Sequence, residues 1–253
     1  ATSPIVISTV NPDLRAEVAS STLRNYGYFD NRVTYRVDTL AGGRKASLDY
    51  TMHLGPPWYY GHVEYRHFTW EMDSLIRATW SSRLLLEGDQ FSYYSLVGER
   101  NRLFTLFREH GYYYFRSDML QVQADTVERP REARLRIGLQ PSLPNYVLRP
   151  WHIGHTHVDI EGGTTAQSPI RPWVLQPRIA FHRGNLYSSS SQDATQHNLN
   201  RLGVFNSVSL HYVPRDSAMT GDTLDVYITA LLEKPYELSL EANLTGKRNN
   251  QVG

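Results

Sequence analysis

Three histidines fall within one short run, Trp151-His-Ile-Gly-His-Thr-His-Val158. Imidazole is the commonest side-chain metal ligand, and a zinc site needs three or four donors. If the run is extended, His155 and His157 share one face and His152 lies on the other. At most two then converge locally, and no third ligand stands at a suitable spacing. His62 has only His67 near it. A metal-dependent enzyme centred on His152, His155 and His157 is therefore the minor reading, and polar strand surface the favoured one. Ser188-Ser-Ser-Ser191 offers hydroxyls without a Gly-x-Ser-x-Gly elbow or a placed His/Asp set. Ser190-x-x-Asp193 reads instead as a helix N-cap. Asp222 and Asp225 flank a hairpin turn and read as turn and solvent-face carboxylates. No phosphate-cradling or dinucleotide glycine pattern occurs. The chain reads as non-enzymatic, with no catalytic residue, no metal and no other cofactor assigned.

The elements that carry these residues follow from composition and pattern. The chain has 253 residues, enough for one large core or two to three small domains. Lys+Arg number 26 against 25 Asp+Glu, a net charge of +1 with the signs interspersed. That balance gives no footprint for nucleic acid or an anionic membrane surface. Cysteine is absent, which excludes disulfides, thiolate catalysis and Cys-based zinc sites. No apolar run approaches the roughly 20 residues of a membrane helix. Ala1-Thr-Ser-Pro4 has neither the basic start nor the apolar core of a signal peptide. An exported source would make this a mature or trimmed chain.

One motif occurs three times. Leu23-Arg-Asn-Tyr-Gly-Tyr-Phe-Asp30, Arg108-Glu-His-Gly-Tyr-Tyr-Tyr-Phe115 and Leu199-Asn-Arg-Leu-Gly-Val-Phe-Asn206 each run from a helical pattern through a glycine into aromatic or apolar residues. Gly27, Gly111 and Gly203 are 84 and 92 residues apart. A second marker repeats with them. Trp58-Tyr-Tyr-Gly-His62 matches Trp151-His-Ile-Gly-His155 at an offset of 151 − 58 = 93. Two anchors with nearly one offset define a repeated module of about 90 residues.

Each module can be read element by element. Asn11-Pro12-Asp13 supplies a cap, a first-turn proline and a first-turn acid for a helix over 13–26. In the middle copy Tyr93, Leu96, Val97, Leu103, Phe104 and Phe107 fall on one helical face. Each glycine then stands where a left-handed C-terminal cap is needed. Two strands of period two follow each glycine. They are marked by Val33, Tyr35, Val37 and Ala46, Leu48, Tyr50, Met52 in the first copy. In the second they are Leu120, Val122, Ala124 and Ala133, Leu135, Ile137, Leu139; in the third, Val208, Leu210, Tyr212 and Leu224, Val226, Ile228, Ala230. Ala41-Gly-Gly43, Val127-Glu-Arg-Pro130 and 214–222 are the connecting loops. Tyr59–Tyr65 and His152–Ile160 read as opening strands, with short helices after them over Glu71–Thr79 and in the 172–180 region. In Tyr112–Phe115 the alternation predicts that Tyr112 and Tyr114 pack beneath the helices.

The module order is strand, helix, helix, strand, strand. The expected division is 1–55 as a partial module lacking its first strand and helix, 56–143 and 144–235 as complete modules, and 236–253 as the start of a further strand. On this reading the chain begins mid-module, unless Ile5-Val-Ile7 substitutes as the missing strand.

This order, with Gly-Tyr-Tyr or Gly-Tyr-Phe opening the penultimate strand, resembles the polypeptide-transport-associated (POTRA) modules of the BamA/TamA superfamily of outer-membrane barrel proteins. The resemblance covers essentially the whole chain. It is sharpest in Thr195–Val208 with Leu224–Thr229, which is similar to the module adjoining the barrel. Tyr236–Leu244 then resembles the start of a first barrel strand. His67-Phe-Thr and Glu161-Gly-Gly stand where a Gly-Asn is frequent in BamA proteins, which inclines the resemblance toward TamA-like or TamL-like relatives. It implies an α+β fold of tandem modules, each a three-stranded mixed sheet covered by two helices. It implies a periplasmic location, attachment to a C-terminal outer-membrane barrel, and unfolded outer-membrane clients or a periplasmic protein as partners, with no nucleic acid. Clients would add as strands at an exposed sheet edge, with Leu120, Val122 and Ala124 marking the candidate edge strand. The corresponding strands are Arg32–Val37 and Ser207–Val213. A two-partner secretion transporter is the alternative within the same structural class.

Overall fold

A computed structural model of the chain describes residues 10–39, 46–162 and 171–233. The first helix, α1 (Pro12–Asn25), is capped by the Asn11 side chain, which accepts the Leu14 N–H at 3.3 Å. It is followed by the antiparallel pair β1 (Arg32–Thr39) and β2 (Ala46–His53). Next come β3 (Tyr59–Arg66), α2 (Trp70–Ala78), α3 (Tyr93–Glu109), β4 (Leu120–Asp125) and β5 (Glu132–Leu139). The rest is β6 (His152–Glu161), a 3-10 segment over Pro172–Arg178, α4 (Ser189–Asn200), β7 (Phe205–Pro214) and β8 (Thr223–Leu232). The strands form three sheets, ordered β1-β2, β3-β5-β4 and β6-β8-β7. An α+β architecture is thus present, with two three-stranded sheets and one two-stranded sheet among the described residues. β3 runs parallel to β5, and β4 antiparallel to it, so that sheet is mixed. Among the described residues no helix is long and apolar enough to cross a membrane.

The chain divides into two compact units. In the first, which runs through His152 and includes Leu186–Ser189 and Ala218–Asp222, one core lies between the β3-β5-β4 sheet and the helices. Tyr60 and Val63 enter it from β3, Met72 and Ile76 from α2, Leu103 and Phe107 from α3, and Leu135 and Ile137 from β5. Each large apolar side chain buried this way contributes about 1.5–3 kcal/mol. Phe107 is the hinge of the aromatic packing, with Phe115 at 5.0 Å and Tyr112 at 5.8 Å between ring centroids, both edge-on. Such pairs add to area burial because the positive ring edge meets the negative face.

A fully buried carboxylate locks this core from inside. Glu99 on α3 accepts from the Tyr65 hydroxyl (2.7 Å), the Leu84 N–H (2.9 Å) and the Arg102 guanidinium (2.6 and 3.0 Å). Arg102 also donates to the Thr79 hydroxyl at 3.0 Å, so α2, α3 and β3 meet at one ionic cluster. Burial pushes the Glu99 carboxyl upward, but the Arg102, Leu84 and Tyr65 donors outweigh it and hold it below the usual carboxylate range. Burial, and then the bond to Glu99, push the Tyr65 phenol well above its ordinary value.

The second unit builds its own core from the inward faces of β7 and β8. Val208 and Tyr212 come from β7, and Leu224, Val226, Ile228 and Ala230 from β8. Ile153, Leu175, Phe181 and Leu199 complete it. The buried Thr195 hydroxyl accepts the Ala180 N–H at 2.9 Å and donates to the Ser191 carbonyl at 2.8 Å. The expected short helix near 172–180 is a 3-10 segment containing Pro177. Proline lacks the N–H and clashes with the preceding turn, so an α-helix does not propagate there.

Several sequence expectations are corrected. Residues 111–116 are turns, with the Phe115 N–H bonded to the Tyr112 carbonyl at 3.1 Å, and regular strand begins at Leu120. The inward pair is therefore Tyr112 and Phe115, each 1% exposed, while Tyr114 is half-buried. Tyr93 is exposed, while Leu96 of the same expected face packs against the core. Helix α4 starts at Ser189, so Ser190 is inside its first turn and is not its cap. The Ala41-Gly-Gly43 loop, the Ile5-Val-Ile7 strand and the Tyr236–Leu244 strand lie outside the described residues.

Candidate polypeptide-binding edge

β4 lies at the outside of the β3-β5-β4 sheet and, among the described residues, pairs with β5 alone. The register is regular, running from Leu120↔Leu139 through Val122↔Ile137 to Asp125↔Arg134 without a bulge. In such a pair every second residue of the outer strand turns its N–H and C=O away from the partner. The start of the strand is held firmly. Arg100 on α3 donates to the Ser117 carbonyl at 2.8 Å, and the Gln140 N–H to the Met119 carbonyl at 2.9 Å. At the far end the Asp125 carboxylate accepts the Val127 N–H at 3.1 Å, which turns the chain back toward β5.

The three sequence-marked residues divide by role. Leu120 is 3% exposed and anchors the strand in the core. Val122 is half-buried against the same core, and Ala124 is exposed. What they share is the strand whose backbone is open, and no side chain among them forms a pocket. Sequence reasoning missed the outward residues Gln121 and Gln123. Their signal was present in the period-two alternation with Leu120, Val122 and Ala124. Arg136 on β5 stands directly across from Gln123, and Gly138 across from Gln121.

The opposite edge of the sheet is different. β3 pairs with β5 through a register break between Tyr60 and Val63. The Glu87 carboxylate covers that break, accepting the Val63 N–H at 3.4 Å and meeting His62 Nδ1 at 2.7 Å. The bond to His62 holds Glu87 below the usual carboxylate range. A bulge plus a side-chain cap is how a sheet edge is blunted against further pairing. β1 and β7 also lie at the ends of their sheets, as expected of Arg32–Val37 and Ser207–Val213.

The histidines are separated. His152 Nδ1 meets Asp222 at 3.1 Å. His155 and His157 stand side by side on an exposed strand face, ring centroids 6.4 Å apart, and His157 stacks on Tyr227 at 4.8 Å. Asp225 is engaged by Arg215 at 2.5 Å and by the His155 N–H at 2.6 Å. The Arg215 contact holds its carboxyl below the usual range. Among the described residues no group of three or more His, Asp or Glu is placed to hold a metal ion.

The first two Gly-aromatic motifs turn out to be joints. The Gly27 carbonyl accepts the Trp58 N–H at 2.9 Å, and the Trp58 carbonyl accepts the Phe91 N–H at 2.8 Å. The Gly111 carbonyl likewise accepts the Trp151 N–H at 2.8 Å, and the Trp151 carbonyl the Tyr187 N–H at 2.8 Å. At the second joint Arg108 lies against the rings of Tyr113 and Tyr187 and donates to the Tyr113 carbonyl and the Tyr187 hydroxyl. Burial, against a weaker opposing pull from Arg108, raises the Tyr113 phenol above its ordinary value.

No family model matches the sequence, and no curated protein does. Solved structures do. The BamA structure from Haemophilus ducreyi lacking POTRA domains 1–3 superposes with a TM-score of 0.53 at 12% identity, covering 70% of this chain and 30% of that one. POTRA domains 3–5 of Haemophilus influenzae BamA match over 88% of this chain and 80% of that one, at 16% identity and a TM-score of 0.47. POTRA domains 1–3 of the periplasmic domain of Omp85 from Anabaena match over 92% of each chain at 9% identity, with a TM-score of 0.33.

Proposed function

We propose that this chain is a POTRA region of a BamA-superfamily protein, a non-enzymatic periplasmic scaffold that acts in outer-membrane protein assembly or secretion. It starts from a fold: the chain carries strand–helix–helix–strand–strand modules of the POTRA kind. The proposal keeps the expected modules at 56–143 and 144–235, the partial one at 1–55, and a C-terminal barrel in the full protein. Its partners are unfolded outer-membrane polypeptides or a periplasmic protein, bound in extended form along β4. The observation that carries it is the asymmetry of one sheet, with β4 regular and open and β3 broken and capped by Glu87. Backbone groups on an open edge bind an extended chain without demanding its sequence, which suits a scaffold with many clients.

Val122→Pro tests it. Proline removes one N–H from β4 and cannot sit in a strand flanked on both sides. Binding of a peptide copied from an outer-membrane strand, measured by fluorescence anisotropy, falls by more than tenfold while the thermal midpoint falls only modestly. Equal losses in binding and stability would count against the edge.

A further inference from the structure

The face beside β4 is unevenly charged, and the inference from it rests on the reading of β4 as a binding edge. The outward side chains of β4 are Gln121 and Gln123. Behind them on β5 stands Arg136, exposed, with Glu64 of β3 on its far side. Glu64 is already held by Arg66, which is the first cause of its lowered carboxyl; Arg136 makes no ion pair among the described residues. Arg66, Gln121, Gln123, Arg136 and Gly138 line a depression of about 200 Å³, bordered by His67. Gly138 has no side chain, so the floor between the two arginines is low. Arg66 and Arg136 against Glu64 leave one positive charge in excess, and the two glutamines and Arg136 line the same space with groups that can donate hydrogen bonds.

A chain paired along β4 would alternate its side chains between two environments. One set would continue the inner face, beside Val122 and the core. The other would lie beside Gln121 and Gln123, two strand spacings from β5, about 9.6 Å from its backbone. Extended arginine and glutamate side chains together span that distance. A lysine there would meet amides and a guanidinium instead.

We infer that the β4 edge selects extended segments that are apolar on one face and bear carboxylates on the other, the carboxylates being received by Gln121, Gln123 and Arg136. The partner class is an acidic, alternating polypeptide strand. Because the pair is solvent-exposed, the preference is roughly two- to fivefold in affinity at low salt. It fades at about 0.5 M salt, where screening acts over about 4 Å.

The test uses the full chain and two end-capped ten-residue peptides of alternating valine with glutamate or with lysine. Dissociation constants are measured for the wild type, Arg136→Glu, Arg136→Gln and Val122→Pro, with thermal melts confirming the fold of each. The expected result is tighter binding of the glutamate peptide, loss of the preference in Arg136→Gln, and its inversion in Arg136→Glu. Equal affinities, or tighter binding of lysine, with both peptides lost in Val122→Pro, overturn the charge preference and leave the edge standing. If neither peptide binds, or Val122→Pro binds both normally, the edge reading fails and takes this inference with it.

Discussion

Two hairpins of one design meet different fates in this chain. β1–β2 and β4–β5 are both antiparallel pairs with period-two alternation, and both follow a helix that ends in a left-handed glycine. Yet β1–β2 has no buried residue, with Val37 42% exposed and Met52 52%. β4–β5 buries Leu120, Ala133, Leu135 and Ile137. The difference is the company each keeps. β5 has β3 on its other side and shares a core with α2 and α3. The first hairpin has α1, which buries Ala16 alone, and a tie from the Tyr35 hydroxyl to Asp13 at 2.9 Å. An alternating strand pair offers one apolar face, and only a third strand and two covering helices turn that face into a core.

The largest test of that contrast is Glu99→Ala. It leaves the Arg102 charge buried with half its partners and costs about 3–5 kcal/mol by urea denaturation. The loss falls on the β4–β5 amides and spares β1–β2. pH sharpens the same point. The folded Glu99 carboxyl titrates below its ordinary value of 4.5, so its contribution is complete above that pH. It drains away as pH falls through the lower folded value. Glu99→Gln has no such dependence, so the stability gap between it and the wild type narrows on acidification below 4.5. A gap that widened instead would break the assignment.

Matched truncations come next. Ile137→Ala costs about 2–5 kcal/mol because it opens a cavity in a closed core. Val37→Ala, at an exposed β1 position of the first hairpin, stays within about 0.5 kcal/mol. Similar losses at the two sites would erase the distinction.

The glycines give a smaller effect. A Cβ on Gly111 would stand 2.7 Å from the Pro150 Cβ, and one on Gly27 2.9 Å from the Phe91 carbonyl oxygen. At Gly203 nothing lies within 4 Å, although its φ of +66° is of the same kind. Gly203→Ala therefore costs only backbone strain, about 1 kcal/mol, while Gly111→Ala adds the collision for about 2–3 kcal/mol. Thermal melts of the three alanine variants order them. Smallest in free energy, but read at every residue, is native-state amide exchange. β1 amides exchange on the order of a hundredfold faster than those of β5, since local opening of the first hairpin exposes no core.

Much of this was legible in the sequence. The Gly27, Gly111 and Gly203 stops, the opening strands after Trp58 and Trp151 and the paired strands after each glycine are local patterns, and local rules govern them. The residues that failed were those whose environment is made elsewhere. Tyr112–Phe115 alternates like a strand but is a turn, so the buried pair is three apart and not two. Glu99 looks like a solvated helix residue, since the Tyr65 and Leu84 groups that surround it come from 34 and 15 residues away. Val122 and its neighbours were legible as a strand from their alternation, but as an edge only through the family resemblance, since whether a strand is an edge depends on what pairs beside it.

By itself the sequence determined the module order, the glycine stops, the period of each strand and the absence of cysteine chemistry. These depend on backbone sterics and side-chain alternation within a few residues. The tertiary structure alone decided which edge of the sheet stays open, which hairpin gains a core and which carboxylate is buried. Each of those is set by contacts between segments far apart in the chain, and no local pattern encodes them.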